Sequence, residues 1–465
     1  METNNMFVNP DIFRAYDIRG VADKDLTEDV VRLIGQSIGS EAIDRNQHSI
    51  IVARDGRLSG EKLLHALCEG IQASGCDVIH LGAVPTPLLY FATNVLECTS
   101  GVMLTGSHNP PEDNGIKTVI DHVTLAGDDI QKLYQRILNK DLHTGQGSLK
   151  HEEILERYIG RVTSDVALKR PLKIVIDCGN GIGGVVAPQL FKRLGCEVIE
   201  LFCEVDGHFP NHQADPTQPK NVQDLIAAVQ EHHADLGLGF DGDADRVGVI
   251  TNTGRIVWPD RVLMLFAIDV LSRVPGAEII YDVKCTRYLK SLIEKHGGKP
   301  IMWKTGHSFI KAKMRETGAA LAGEMSGHMF FKERWYGFDD GIYSGARFLE
   351  IVSKQKLSTE DLFHTLPNSV NTPELKVEVK ESEKFALMEK FEKEMHFEGA
   401  EMNFIDGVRV EFKDGWGLVR ASNTTSYLIM RFEANDEKGL KRIQHLFAKE
   451  MLRLDPGLQL PFDRG

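Results

Sequence analysis

Three related α/β domains, each on a mixed or parallel sheet, followed by a smaller α+β domain, are what this sequence predicts. Three observations carry the prediction. One strand, acidic turn, helix, glycine, strand pattern occurs three times; the pattern stops after Pro373; and 465 residues are too many for one ordinary core.

The first copy opens on the apolar run Ser49 to Arg54, turns at Asp55-Gly56, and continues through a helical pattern to Gly75-Cys76 and a second run, Asp77 to Leu81. The second runs from Leu172 to Asp177, through a glycine-rich turn and a helical stretch Val185 to Leu194, to Gly195-Cys196 and Glu197 to Leu201. The third runs from Glu278 to Asp282, through Tyr288 to Lys295, to Gly297-Gly298 and Lys299 to Trp303. Strand, crossover helix and strand in this order make a parallel pair. Past Pro373 the runs Gly407 to Phe412, Trp416 to Arg420 and Tyr427 to Phe432, with a turn at Lys413 to Gly415, read as antiparallel strands, and Lys438 to Leu454 as an amphipathic helix. Boundaries are expected in the polar stretch Asp141 to Lys150, near Thr251 to Pro259 and near Leu366 to Pro373, giving units 1–150, 151–255, 256–368 and 369–465.

Composition narrows the function classes. A formal charge of -13 repels a nucleic-acid backbone, and no concentrated basic patch offsets it. No basic segment and apolar run open the chain, and its most apolar stretch, Val262 to Leu271, is short and holds Asp269, so neither a signal peptide nor a membrane span is expected. Seven cysteines without paired metal-ligand spacing suit reduced thiols, hence the cytoplasm.

Four loops carry the candidate chemistry. In Thr105 to Pro111, Gly106 and two prolines stop the preceding strand and present Ser107 on a turn, beside His108; a turn serine alone is as well explained as a local hydrogen bonder. In Gly239 to Arg246, Asp241, Asp243 and Asp245 alternate in a tight turn between apolar runs. Three such carboxylates repel one another unless a hard divalent cation such as Mg2+ neutralises them. An EF-hand is excluded, because the sixth and twelfth positions from Asp241 are Arg246 and Asn252. In Gly323 to His328, Glu324 and Ser326 offer an acceptor and a donor suited to sugar hydroxyls, or a helix cap. In Arg420 to Ser426, one arginine beside Ser422, Asn423, Thr424 and Thr425 suits a phosphate dianion, or a polar hairpin.

In this order and at these separations, from Tyr16-Asp17-Ile18-Arg19-Gly20 to the last loop, the chain resembles the α-D-phosphohexomutase superfamily, and most closely its bacterial phosphomannomutase/phosphoglucomutase branch. The resemblance implies four domains around a central cleft and reversible interconversion of hexose 1-phosphates and hexose 6-phosphates, of mannose and glucose, through phosphoserine and a 1,6-bisphosphate. It makes Ser107 the phosphorylated residue. Asp241, Asp243 and Asp245 then hold Mg2+ together with a seryl phosphate oxygen, Glu324 and Ser326 read the sugar, and the Arg420 loop grips phosphate. Tyr16, Arg19 and Lys284 match substrate-binding positions. His108 and Arg246 fall at catalytic positions, and Lys117, His307 and His328 are candidates for proton transfer or charge stabilisation. Glucose 1,6-bisphosphate or mannose 1,6-bisphosphate is implied as activator, and a monomer as the working unit.

Two positions depart from the family pattern. Ala244 stands where glycine is frequent, and Ser426-Tyr427 where Pro-Val is familiar; metal binding is expected to survive the first. Met325 favours the glucose/mannose branch over phosphoglucosamine mutases, where glutamine is expected. Two further alternatives are an aspartyl-phosphate phosphohydrolase with Asp241 as nucleophile, which expects Thr or Val at 245, and a sugar-phosphate sensor without turnover.

Overall fold

The computed structural model describes residues 8–423 and 425–462, apart from the side chain of Glu381. Thr424 of the phosphate loop and the N-terminal residues read for a targeting segment lie outside the described residues.

The first three units share one four-strand kernel. In the first, Ser49–Arg54 lies between Asp77–Ala83 and Gly101–Leu104, parallel to both, and Gly101–Leu104 pairs antiparallel with Asp113–Ile120. Lys173–Asp177, Glu197–Leu201, Leu236–Phe240 and Val247–Thr251 repeat this arrangement. So do Glu278–Asp282, Lys299–Trp303, Leu321–Gly323 and Met329–Phe331. Ile18–Val21, Val123–Thr124 and Leu149–His151 extend the first sheet, and Ile256–Val257 the second.

The sequence pattern has a local cause at each end of the crossover. Asp55, Asp177 and Asp282 close each central strand, and each Oδ1 accepts the backbone N–H two residues on, from Arg57, Gly179 and Lys284 at 3.0, 2.8 and 3.2 Å. At the other end Gly75, Gly195 and Gly297 adopt φ of +99°, +93° and +78°, the left-handed backbone that stops a helix and strains any residue with a Cβ. The helix expected from Val185 begins later. A 3₁₀ turn covers Ile182–Val185 and the α-helix covers Ala187–Arg193, because Pro188 lacks an N–H and is tolerated only in a first turn.

The connection from the third to the fourth kernel strand is the same piece of topology in all three units. It holds Ser107 in the first, the three aspartates in the second and Glu324 to His328 in the third. It leaves the carboxyl end of a parallel strand, where open α/β sheets bind ligands.

The fourth unit is an antiparallel meander, Val408–Phe412, Gly415–Ala421 and Tyr427–Ala434, with Phe412 opposite Gly415 across the two-residue turn Lys413-Asp414. Helix Glu437–Leu454 covers it, started by Asp436, whose side chain accepts from Gly439 N at 2.8 Å. One apolar cluster runs through the first three units, and the fourth has its own. A small apolar patch, Val283, Trp416 and Leu418, joins the third unit to the fourth.

Candidate active site

Ser107 is buried, with a φ of +50° that turns its side chain toward the second unit. Its Oγ lies 3.0 Å from Asp241 Oδ2 and 3.2 Å from His108 Nδ1. Burial and the Arg246 and Arg19 guanidiniums push the His108 imidazole well below its usual range, so it is neutral beside the serine. The loop is held from behind by Arg57, which the sequence reading missed. Its guanidinium donates to the carbonyls of Ser107, Asn109 and Asp113 at 2.9, 2.7 and 2.8 Å, and to that of Pro110, while Nε meets Asp55 at 3.2 Å. Gly106 gives this fork room, since a Cβ there would lie 2.3 Å from the Arg57 guanidinium carbon. Gly242 does the same for the metal loop, where a Cβ would sit 2.2 Å from Ser107 O.

Asp241, Asp243 and Asp245 converge fully buried, with one oxygen of each within 4.8 Å of the others. Burial, then the Asp245 and Asp243 charges, raise the Asp241 carboxyl well above its usual range. Burial also works against Asp243, but the Lys117 ammonium and a hydrogen bond from Thr86 Oγ1 at 2.6 Å pull it far down. Lys117 Nζ lies 2.7 Å from Asp243 Oδ2 and 2.6 Å from Asp245 Oδ2; these carboxylates outweigh its burial and hold its pKa well above the ordinary value. Asp243 Oδ1 and Asp245 Oδ1 are buried without a hydrogen-bond partner among the described residues. Hard oxygen donors converging with unused lone pairs fit a divalent cation. Ala244 takes the φ of +59° that favours glycine, and its methyl packs on Gly183, where an added Cβ would lie only 3.1 Å away.

The third loop comes up beside these groups through a bridge between Arg246 and His328. Arg246 Nε donates to His328 Nε2 at 3.0 Å, and its N–H to Asp241 Oδ1 at 3.1 Å. His328 Nδ1 faces Asp339 Oδ2 at 3.2 Å and Asp245 Oδ1 at 3.5 Å. His307 Nδ1 is 3.8 Å from the same Asp339 oxygen, and Lys311 Nζ is 2.9 Å from the other. Burial and the Lys311 charge push His307 well below the usual histidine range. Asp339 was not read from the sequence; its neighbour Asp340 caps helix Gly341–Lys354, and the Asp-Asp pair was the available signal. Glu324 is buried and accepts Gly306 N at 2.6 Å, while Ser326 is half-buried. Burial raises the Glu324 carboxyl.

The phosphate loop closes the cleft from the fourth unit. Arg420 is buried, with Nε 3.0 Å from Asp406 Oδ2 and Nη2 without a hydrogen-bond partner among the described residues. Ser422 Oγ accepts from Thr425 N and Oγ1 at 3.1 and 2.8 Å, and Asn423 donates to the Tyr16 hydroxyl, which donates to Thr305 O at 3.0 Å. Lys284 Nζ meets Glu374 at 2.5 Å. Arg19 reaches the serine loop at Asn109 Oδ1, 2.8 Å. Asp406 and Glu374, which hold Arg420 and Lys284, had no signal in the sequence.

Family models match the whole succession: phosphoglucomutase/phosphomannomutase α/β/α domains I, II and III at residues 10–144, 154–254 and 258–370, and the C-terminal domain at 374–450. The chain is 57% identical over 451 residues to a phosphomannomutase/phosphoglucomutase of Pseudomonas putida, covering 97% of each chain. It is 52% identical over 457 residues to a phosphoglucomutase of Neisseria meningitidis, covering 97% of this chain and 98% of the relative. A crystal structure of a phosphoglucomutase/phosphomannomutase family protein from Burkholderia thailandensis superposes with a TM-score of 0.94 at 50% identity, over 98% of this chain and all of the other. The fold, the succession of domains and the full-length identity place the chain in the phosphoglucomutase/phosphomannomutase family.

Proposed function

We propose that the chain interconverts hexose 1-phosphates and hexose 6-phosphates, of glucose and mannose, with Ser107 as phosphoryl carrier. The observation that carries this is Ser107 Oγ held 3.0 Å from Asp241 on a buried carboxylate triad. Asp241, Asp243 and Asp245, with an oxygen of the seryl phosphate, would hold Mg2+, which when bound offsets charge on the transferring group and on the serine oxygen as leaving group.

The phosphoryl group passes from Ser107 Oγ to the free hydroxyl of a hexose phosphate; the hydroxyl gives its proton to a base and an acid supplies one to the departing Ser107 Oγ, so that the serine is left as a hydroxyl and the sugar as a 1,6-bisphosphate. The bisphosphate turns over, and its other phosphate returns to Ser107. Lys117 keeps its proton between two carboxylates and stabilises charge. Proton transfer is left to neutral His307 and to His328, the latter oriented by Arg246 and Asp339. Arg420, Lys284, Ser422 and the neighbouring loop residues grip the distal phosphate, and Glu324 and Ser326 read hydroxyls present in both orientations. The small apolar seam to the fourth unit suits movement of that unit during the exchange. Met325 and the dual naming of the Pseudomonas relative support action on both sugars. Hexose 1,6-bisphosphate activation, a monomer and the cytoplasm complete the reading. All seven cysteines are free, and among the described residues no helix is long and apolar enough to cross a membrane.

Ser107→Ala tests it. Turnover of glucose 1-phosphate and mannose 1-phosphate should fall by roughly a thousandfold or more with the thermal midpoint unchanged. Near-wild-type turnover of either sugar would remove the carrier.

A further inference from the structure

Two helices lead from the catalytic centre to a cavity at the seam between the first and third units. Thr86–Val95 begins at the hydroxyl that meets Asp243, and His307–Thr317 begins at His307. Residues four and eight further along share a side of each helix. That places Tyr90 and Asn94 behind Thr86, and Lys311 and Arg315 behind His307. Eight residues at 1.5 Å carry the chain about 12 Å, and there the two helices line a cavity of about 270 Å³.

Its lining is cationic and aromatic. Arg315 and Lys332 supply two positive charges, the Lys311 ammonium behind them is paired with Asp339, and among the described residues no carboxylate lines the cavity, in a chain of net charge -13. Lys311 is buried, 4.0 Å from the centre of the Tyr90 ring; Arg315 and Lys332 are exposed at the mouth. One Arg315 nitrogen donates to His122 O at 2.8 Å. The rings of Tyr336 and Phe338 are stacked, 2° from parallel, and Tyr90 lies 5.7 Å from Phe338. The hydroxyl of Tyr90, a side chain 3% exposed, is buried and has no hydrogen-bond partner among the described residues, a condition that weakens a fold unless something meets it.

We propose that this seam cavity is a second binding site, for a small organic anion with a flat apolar body, apart from the sugar-phosphate cleft. The Arg315 guanidinium and the Lys332 ammonium take the anion, the stacked rings take the body, and the Tyr90 hydroxyl supplies a buried polar contact.

Calorimetric titration of the full chain with phenyl phosphate, inorganic phosphate and benzyl alcohol separates the parts of this claim. In an Arg420→Ala background, which weakens phosphate binding in the cleft, phenyl phosphate should bind saturably and roughly tenfold or more tighter than either fragment. Arg315→Ala with Lys332→Ala should weaken it by roughly tenfold or more, and so should Lys332→Glu alone, a change at an exposed position. No saturable binding, binding undiminished in both variants, or inorganic phosphate binding as tightly as phenyl phosphate overturns the site.

Discussion

Removing the Arg57 guanidinium takes five hydrogen bonds from the back of the serine loop: four to the carbonyls of Ser107, Asn109, Pro110 and Asp113, and one to Asp55. Summing about 1.5–3 kcal/mol for each bond to a charged group overshoots, because loop carbonyls regain water once the side chain is gone. The Asp55 carboxylate does not; it is 1% exposed and loses its cation. Breaking one side of such a buried pair costs about 3–5 kcal/mol. In a unit of this size that lowers its thermal midpoint by about 6–20 °C. Arg57→Lys keeps a charge but cannot fork to four carbonyls, so it should recover only part of the loss. Turnover should drop further than stability implies, since displacing Ser107 by about 1 Å costs roughly a hundredfold in rate. Circular dichroism melting and a coupled assay of glucose 6-phosphate formation measure the two effects. If Arg57→Ala melts within about 2 °C of wild type and keeps its rate, the loop is held by something else.

Gly242→Ala should cut turnover by roughly a hundredfold while leaving each sheet folded, because its Cβ, 2.2 Å from Ser107 O, forces the serine and metal loops apart; steady-state kinetics beside a melting curve checks both halves. Stripping divalent cations with a chelator should abolish turnover and Mg2+ should restore it, and an unchanged rate would contradict the three-aspartate centre. His212 gives a pH test. Burial opposes its charge, but Asp177 Oδ2 at 3.0 Å prevails and raises its pKa above the usual 6.5. A histidine pKa raised by folding adds stability below the unfolded value and loses it as pH rises through the folded value. The second unit should therefore weaken as pH climbs from about 6 upward, and His212→Gln should flatten that slope in denaturant titrations; an unchanged slope assigns it elsewhere.

The crossover strands were legible because each is an apolar run either ended by an aspartate or preceded by a glycine with a fixed backbone task. Ser49–Arg54, Glu197–Leu201, Glu278–Asp282 and Lys299–Trp303 stand where the pattern put them. Pro188 delayed one helix start, and no periodicity shows that. The carboxylate triad was legible because its repulsion is local to one turn. Arg57, Asp339, Asp406 and Glu374 were not, since each acts on a partner supplied by the fold: Arg57 on a loop some 50 residues away, and Glu374 on Lys284, 90 residues away. Ala244, standing where glycine is frequent, adopts the +59° that strains a residue with a Cβ, with its methyl against Gly183.

The threefold kernel also explains why one cleft can hold such different chemistry. One connection, leaving the same end of the same sheet, carries a hydroxyl in the first unit, three carboxylates in the second and a glutamate with a histidine in the third. The fourth unit has no such kernel, and its contacts sort by kind. Asn423 with Tyr16, Asp406 with Thr305 N and Glu374 with Lys284 are hydrogen bonds across the cleft rim. Arg409 donates to Val283 O and Cys285 O, and Arg431 to Lys284 O, beside the patch of Val283, Trp416 and Leu418. A fourth unit that swings has to break the rim bonds, those of half-buried Asn423 and Asp406, which water can replace, and the Lys284–Glu374 pair, whose buried ammonium needs another anion, whereas the buried arginines would strand carbonyls and charge if pulled away. If the fourth unit moves as proposed, the Val283 to Cys285 turn is the contact that would persist as its pivot, and Lys284, set in that turn, would exchange Glu374 for a substrate phosphate without leaving its place.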